Sequence, residues 1–157
     1  MTPEFAIKYR SFMVEQFRLE EPPTRALLEA FPEEAFGFRP HPSAPAAGEL
    51  AWAMVGRQVQ MLEECREGRG FAEGPRFSEA PTAFWALVDW YPSRLAVALD
   101  RLAHAELRVL LERVAFGGVS QPNVQVLAAI DRHLAFHRGQ LTAYLGLLGI
   151  PTSPGLP

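Results

Sequence analysis

The spacing of apolar residues constrains this 157-residue chain more than any other feature. In each long segment they recur every three or four positions, as on one face of a helix, and no segment shows the alternation of a half-buried strand. The last segment shows this clearly, with apolar residues at positions 127, 130, 134, 141, 144 and 148. We therefore predict an all-α fold, an antiparallel four-helix bundle built as one domain over residues 1–157.

Proline punctuates the first third of the chain. Helix one is predicted over residues 4–19, ended by Pro22-Pro23, with Thr24 capping a short continuation. Residues 32–47 contain four prolines and a glycine, which predicts a long crossing loop without regular structure after helix one. We expect Phe36 and Phe38 to pin this loop to the bundle.

Helix two is predicted from Gly48 to Glu67, with Gly68 at its C-terminus and a glycine-rich connection to residue 78. It has two apolar stripes, and such breadth predicts two neighbouring helices or a second subunit, so we expect a homodimer. The stripes are Leu50, Met54, Met61 and Cys65, and Trp52, Val55, Val59 and Leu62.

Helix three is predicted to begin near Pro81-Thr82, with a kink or restart at Pro92, and to continue through residues 105–114 until Phe116-Gly117-Gly118 ends it. The final helix is predicted to follow a cap at Ser120 or Gln121 and to run to Leu148.

Charge and composition exclude several classes of function. The formal net charge is only −3, so no broad basic surface for nucleic acid or for an anionic membrane is expected. No signal peptide and no apolar run of about 18 residues is visible. The single Cys65 cannot form an internal disulfide. These features predict a soluble, cytoplasmic protein.

His133 and His137 are two of only four histidines, and they lie one helical turn apart. Residues at this spacing share a helix face, so both imidazoles can reach one point and could supply half of a metal site in a helical core. Alternatively, they are packed histidines, although each would then need a polar partner.

Several motifs resemble those of one family. They are Phe38-Arg39-Pro40, Gly48-Glu49-Leu50-Ala51-Trp52, Phe116-Gly117-Gly118, and His133-x-x-x-His137-Arg138-Gly139-Gln140-Leu141 followed by Tyr144-Leu145 and Leu148-Gly149-Ile150-Pro151. Together they closely resemble the DinB family, also described as DinB/YfiT-like metalloenzymes, over nearly the whole chain.

The resemblance implies a four-helix bundle, commonly dimeric, in which three histidines hold zinc or nickel. One comes from helix two and two from the last helix, here His133 and His137. Characterised relatives include transferases that conjugate a thiol cofactor, bacillithiol or mycothiol, to a small electrophilic substrate. The metal would bind and deprotonate the thiol, because the thiolate is the nucleophile.

The sequence departs from this pattern at position 53, where Ala53 stands in place of the family's helix-two histidine. Two imidazoles alone would hold a metal weakly. Glu49, one turn earlier, could complete a two-histidine, one-carboxylate set, whereas Arg57, one turn later, could place a guanidinium in the vacancy. His41 and His104 are weaker candidates and are expected at the surface.

Other residues have structural interpretations. Cys65 is expected to pack as a small hydrophobe. Residues 138–140 are expected to act in helix packing or in hydrogen bonds around the site, with close approach of another helix at Gly139. Trp85, Trp90 and Tyr91 could line a cavity, but core or dimer-interface positions are expected.

Two functions are therefore predicted, and no catalytic residue is assigned. The first is a metal-dependent thiol transferase that uses His133, His137 and a third ligand such as Glu49. The second is a metal-free family member that serves as a binding or interaction module.

Overall fold

A computed structural model describes residues 1–68, 71 and 80–151, and most of them are helical. The helices are α1 (Pro3–Glu29), α2 (Ala47–Glu67), α3 (Phe84–Ala103), α4 (Leu107–Leu111) and α5 (Val126–Leu147). Two strands form an antiparallel hairpin, β1 (Arg113–Phe116) and β2 (Val119–Pro122), and short 3-10 helices occupy Glu33–Gly37 and Asn123–Gln125. None of the described helices is long and apolar enough to cross a membrane.

The four long helices pack in a ring. Helix α1 contacts α3 and α5, and α2 contacts the same two helices. The largest fully buried side chains come from α1, α2, α3 and α4. They include Phe17, Leu27, Met54, Leu62, Phe84, Tyr91, Leu99 and Leu110. Helix α5 adds the fully buried Leu127, Ile130, Leu141 and Leu145, so the core lies between all four long helices.

Both apolar stripes of α2 are buried inside one chain. The width of the apolar surface on α2 is thus explained by its contacts with α3 and α5, and it gives no support to a second subunit. The homodimer stays a prediction.

Helix α1 continues through the prolines that were expected to end it. Pro22 and Pro23 both lie inside the helix, and the prediction that Thr24 caps a second segment is wrong. Thr24 is fully buried, and its hydroxyl donates to the Glu20 carbonyl oxygen 2.6 Å away. Burial of Leu27 and Leu28 beyond the prolines favours one continuous helix, because tertiary packing outweighs local propensity. Helix α3 likewise passes through Pro92 without a restart.

The hairpin contradicts the prediction of an entirely α-helical fold. Residues 105–114 were expected to extend helix three, but α3 ends at Ala103 and the chain forms α4 and then β1. Gly117 and Gly118 form the turn with φ angles of 59° and 77°. A two-residue turn with both φ positive matches the right-handed twist of paired strands, which is why Gly-Gly directs a hairpin here. The last helix consequently begins at Val126, after β2 and a 3-10 turn, and not at Ser120 or Gln121.

The crossing loop is pinned as predicted, although it is not wholly irregular. It contains the 3-10 helix Glu33–Gly37. Phe36 meets Phe84 edge-on with ring centroids 5.1 Å apart, and Phe38 meets Tyr144 in the same way at 5.9 Å. Helix α2 then starts at Ala47, and Gly68 ends it with a φ of 67°, as expected for a C-terminal glycine. Most of the predicted glycine-rich connection, residues 69–70 and 72–78, lies outside the described residues.

Gly48 is the more crowded of the two glycines in α2. A Cβ built there would lie 2.3 Å from Cε1 and Cζ of Phe36. We expect Gly48→Ala to lower the free energy of unfolding by about 1–3 kcal/mol, because the Phe36 ring must move off Phe84. The measurement is denaturant unfolding followed by circular dichroism.

Gly139→Ala is the control for this substitution. Contrary to the prediction of close helix approach, no described atom outside the local helix lies within 4 Å of a Cβ at Gly139. Alanine there is expected to stabilise the protein by about 0.5–1 kcal/mol through helix propensity. Equal stabilisation by both substitutions would show that Phe36 does not restrict position 48.

Candidate functional site

The two histidines of α5 do meet at one point. The ring centroids of His133 and His137 are 4.4 Å apart and the planes are inclined by 79°. Both side chains are partly buried at the face of α5 beside α2. The prediction that the spacing brings the imidazoles together is therefore confirmed at the level of geometry.

The orientation of His133 is fixed by a hydrogen bond to position 53. Its Nε2 lies 3.0 Å from the Ala53 carbonyl oxygen. A carbonyl oxygen can only accept, so Nε2 carries the proton and donates it, which leaves Nδ1 as the lone-pair nitrogen of His133. The imidazole is thus directed at the α2 backbone, at the residue where the family resemblance would place a histidine.

His137 is held by a different partner. Its Nδ1 lies 2.8 Å from Oε1 of Gln140, one turn further along α5. With Nδ1 donating to this amide oxygen, Nε2 is the nitrogen of His137 that keeps a lone pair. Residues 138–140 were expected to act in helix packing or in hydrogen bonds around the site. Gln140 makes such a hydrogen bond to His137, whereas Arg138 pairs with Glu20 of α1.

Burial favours the neutral form of both imidazoles. It lowers the pKa of His133 below its usual value, partly offset by the hydrogen bond to Ala53, and the neighbouring His137 and Arg57 lower that pKa further. Burial also lowers the pKa of His137, although the hydrogen bond to Gln140 acts in the opposite direction. Neutral imidazoles are the form that could ligate a metal or accept a hydrogen bond.

Glu49 is engaged elsewhere. One carboxylate oxygen accepts from the Arg39 guanidinium at 2.8 Å, and the other accepts from the backbone N–H of Ala46 at 2.9 Å. The Ala46 bond, followed by the Arg39 pair, lowers the pKa of Glu49. The carboxylate therefore caps the N-terminus of α2 and ties it to the crossing loop, and both oxygens are occupied.

A cavity of about 470 Å³ lies beside His133. This volume falls within the range of small-molecule sites, roughly 300–1,000 Å³. The described residues that line it are Phe36, Gly48, Glu49, Trp52, Ala53, Arg57, Ala80, Pro81, Thr82 and His133. Most of its wall is apolar, and Ala53, with its small side chain, is exposed to it.

Arg57 is the cation of this cavity wall. Its side chain is 18% exposed, and Nη1 is buried without a hydrogen bond within the described part of the chain. The nearest anion is the buried carboxylate of Glu64, whose Oε2 lies 3.5 Å from Nη1. Arg57 lies one turn after Ala53 and lines the same cavity, but its Nη1 faces Glu64, so the expectation that its guanidinium takes the place of the missing ligand stays a prediction.

The remaining candidates lie away from the histidine pair. His41 and His104 are exposed, as expected, and their Nδ1 atoms contact Ser43 and the Asp100 carbonyl oxygen respectively. Cys65 is buried, and burial raises its pKa to about 12, so it is an inert thiol that packs in the core.

The aromatic residues of α3 do not line this cavity. Tyr91 is fully buried and its hydroxyl donates to Oε1 of Gln58 at 2.8 Å. Trp90 packs edge-on against Trp52, the tryptophan that does line the cavity, and Trp85 is exposed. The sequence predicts only a helix start at Pro81-Thr82, and nothing in the context of these residues indicates that they line a cavity.

The side chains present do not fit a three-ligand metal centre. The side chain at position 53 has no atom that could ligate a metal, and both oxygens of Glu49 accept hydrogen bonds from other groups. Nε2 of His133 carries a proton that it donates to the Ala53 carbonyl oxygen, so it has no lone pair for a metal. In the described ranges, no group of three or more histidine, cysteine, aspartate or glutamate side chains is arranged to hold a metal ion. The histidine pair provides two lone pairs and no third.

Comparison with known proteins finds a likeness over nearly the whole chain. The sequence model of the DinB family matches residues 9–155. A DinB-like protein from Bacillus subtilis is similar in structure, with a TM-score of 0.70 at 16% identity over 92% of this chain and 96% of that one. A DinB-like protein from Bacillus cereus ATCC 10987 superposes with a TM-score of 0.72 at 20% identity, over 89% and 94% of the two chains. At these identities the likeness is one of fold. No curated protein matches the chain.

Proposed function

The chain belongs to the DinB family, and we propose that it binds a small molecule in the cavity beside His133, here named the α2–α5 cavity, without using a three-residue metal centre. We also propose that the four long helices are the antiparallel four-helix bundle expected from the sequence, supported by the ring of contacts α1–α3–α2–α5. Reaction chemistry, where it occurs, would then depend on side chains of the cavity.

The observation that carries this proposal is the hydrogen bond from Nε2 of His133 to the Ala53 carbonyl oxygen. It satisfies the imidazole within the protein, so that a partly buried histidine needs no metal to explain it. Gln140 does the same for His137. The space that a larger ligating side chain would fill above Ala53 belongs to the cavity instead.

The rival function is the metal-dependent thiol transferase, in which zinc or nickel would activate bacillithiol or mycothiol against an electrophile. The 4.4 Å approach of the two rings favours it, because Nδ1 of His133 and Nε2 of His137 could both face one ion. It requires a third ligand that would have to come from a thiol, from water or from Glu49 after release from Arg39.

Metal content separates the two functions. Protein purified without a histidine tag or chelator is expected to contain zinc and nickel well below one equivalent, and added zinc is expected to leave the melting temperature unchanged. His137→Ala should alter neither result, and His104→Ala, at an exposed histidine outside the site, is the control. Near-stoichiometric zinc or nickel that is lost in His137→Ala but kept in His104→Ala would overturn the proposal.

A further inference from the structure

The outward sides of α1 and α5 form an apolar surface that is open to solvent in the described part of the chain. We infer that a second copy of the chain binds to this surface about a two-fold axis, which assigns a face to the homodimer predicted from the sequence. The inference does not depend on the proposed function, because the surface lies outside the α2–α5 cavity. We name it the α1–α5 face and define it by the exposed residues Phe5, Phe12 and Leu19 of α1 and Ala135, Phe136 and Leu147 of α5.

The first argument is the composition of α5. Every residue of this helix that is exposed between positions 135 and 147 is glycine, alanine, phenylalanine or leucine. The opposite side of the same helix is buried in the core through Leu134, Leu141 and Leu145. A helix at the surface of a globular protein normally carries polar residues on its outward side, whereas a helix that is apolar all round is normally buried. The composition of α5 therefore indicates that its outward side is covered.

The second argument is a stripe of large apolar side chains along α1. Phe5, Phe12 and Leu19 lie seven residues apart, on one side of the helix, and their exposed fractions are 54%, 57% and 68%. Phe136 and Leu147 of α5 are exposed to a similar extent, at 62% and 66%. Large apolar side chains that are grouped together in contact with water mark interaction surfaces.

Contacts between α1 and α5 place these residues on one surface. The two helices pack side by side, and Arg138 of α5 pairs with Glu20 of α1. Nearer the start of both helices, burial and the neighbouring Asp131 of α5 raise the pKa of Tyr9. Phe5 stacks on Tyr9 with ring centroids 6.0 Å apart, so the apolar stripe lies on the α5 side of α1. The protruding rings of α1 therefore adjoin a shallow strip of alanine and glycine on α5.

The area of the α1–α5 face is that of a dimer interface. A whole phenylalanine side chain has a surface of about 200 Å², so the three exposed phenylalanines present about 350 Å² at these exposed fractions. A standard interface buries about 800 Å² on each partner. The two leucines and the alanine and glycine strip between the rings supply much of the remainder.

The charges beside the face favour a protein partner over a membrane. At its border on α1, Lys8 pairs with Glu4 at 2.7 Å and Arg18 pairs with Glu15 at 2.8 Å, so this border has as many negative as positive charges. A helix that lies on a membrane surface instead carries an excess of lysine and arginine. An apolar centre with a polar border is the arrangement of protein interfaces.

The shape of the face favours a second copy as that protein. It carries both protruding rings and a strip of small residues, so the rings of one copy can lie over the strip of the other. A two-fold axis repeats each such contact, which makes the surface complementary to itself.

The test is the mass of the full chain in solution. Light scattering coupled to gel filtration at micromolar concentration, with EDTA present so that no metal bridges two chains, is expected to give twice the 17.5 kDa of one chain. The melting temperature is expected to rise with protein concentration, because association stabilises only the folded state.

Phe12→Glu and Phe136→Glu each place a carboxylate within the α1–α5 face. Both positions are exposed in the single chain, so each variant is expected to keep the circular dichroism spectrum of the parent. The dissociation constant of the dimer should rise at least about 100-fold in each, because burying an unpaired charge opposes association. Val97→Glu is the matched control, since Val97 is an exposed apolar residue of α3 outside the face, and it should leave the dimer intact.

A parent chain that is monomeric at micromolar concentration would overturn the inference. Dimers that survive either Phe12→Glu or Phe136→Glu would also overturn it, because the two copies would then meet on another surface. Loss of the dimer in Val97→Glu as well would do the same, since the position of the charge would not matter. A monomer that sediments with phosphatidylcholine vesicles, and no longer does so after Phe12→Glu, would assign the face to a membrane instead.

Discussion

Asn123→Ala is expected to lower the free energy of unfolding by about 3 kcal/mol, a fall of roughly 6–12 °C in melting temperature for a chain of this length. Asn123 is the only asparagine in the sequence and is fully buried. Its side-chain Nδ2 donates to the carbonyl oxygen of Cys65 at 2.6 Å and to that of Val109 at 3.1 Å. The substitution leaves both oxygens without these donors in a site closed to water.

The size of the effect follows from the position of Asn123 at a junction. Cys65 belongs to the last turn of α2, Val109 to α4, and Asn123 itself to the 3-10 turn that precedes α5. The Asn123 backbone N–H donates to the Glu112 carbonyl oxygen at 2.8 Å, and the thiol of Cys65 donates weakly to the Asn123 carbonyl oxygen at 3.6 Å. One side chain therefore joins three helical segments.

Denaturant unfolding compares Asn123→Ala with Gln125→Ala, an exposed position in the same 3-10 turn. The control is expected to change the free energy of unfolding by less than about 0.5 kcal/mol. Asn123→Asp should be at least as damaging as alanine, because a carboxylate cannot donate to either carbonyl. Equal, small effects at positions 123 and 125 would mean that the junction is held by backbone bonds alone.

The long helices could be predicted from the sequence because each has an uninterrupted apolar face. Helix α2 was placed to within one residue at its start, and its C-terminal Gly68 adopts the positive φ that this position favours. The two aromatic residues that hold the crossing loop, Phe36 and Phe38, were also identified. Such features depend on local spacing, which the sequence displays directly.

Features that depend on tertiary contacts were missed or mistaken. The hairpin strands are four residues each, too short for periodicity to reveal. Gly117-Gly118 fits a helix end equally well from sequence alone, but it forms the hairpin turn. Pro22-Pro23 was expected to interrupt helix one, and Pro92 to kink or restart helix three, yet packing on both sides of these prolines keeps α1 and α3 continuous. The junction role of Asn123 has no signature in the sequence, since its partners lie 14 and 58 residues away.

The site was predictable in part. The i, i+4 spacing correctly placed His133 beside His137, and the family resemblance identified Ala53 as the departure. Spacing could not show which way each imidazole turns, because that depends on the Ala53 carbonyl and on Gln140. Spacing also could not show that one carboxylate oxygen of Glu49 accepts from Arg39 and the other from the Ala46 backbone N–H. Whether any of these residues ligates a metal stays a prediction.

Ala53→His is expected to bind zinc or nickel at least about 100-fold more tightly than the parent protein. Ala53 lines the same cavity as His133, so an imidazole there can join His133 and His137 as a third ligand with one position left open. At a metal concentration 100 times the dissociation constant, binding adds about 2.7 kcal/mol to the free energy of unfolding. The melting temperature of the variant should therefore rise by roughly 5–11 °C on addition of metal, while that of the parent does not.

The expected gain includes a cost that is specific to this chain. His133 can ligate through Nδ1 and keep its hydrogen bond to the Ala53 carbonyl oxygen, but the neighbouring Arg57 disfavours a further positive charge. The double substitution Ala53→His with His137→Ala returns the site to two imidazoles and should lose most of the affinity, which shows that all three act together. Ala53→His combined with Arg57→Gln should bind more tightly still, because it removes the repulsion. A folded Ala53→His variant that gains no affinity in either background would mean that position 53 does not face the point where the two α5 histidines converge.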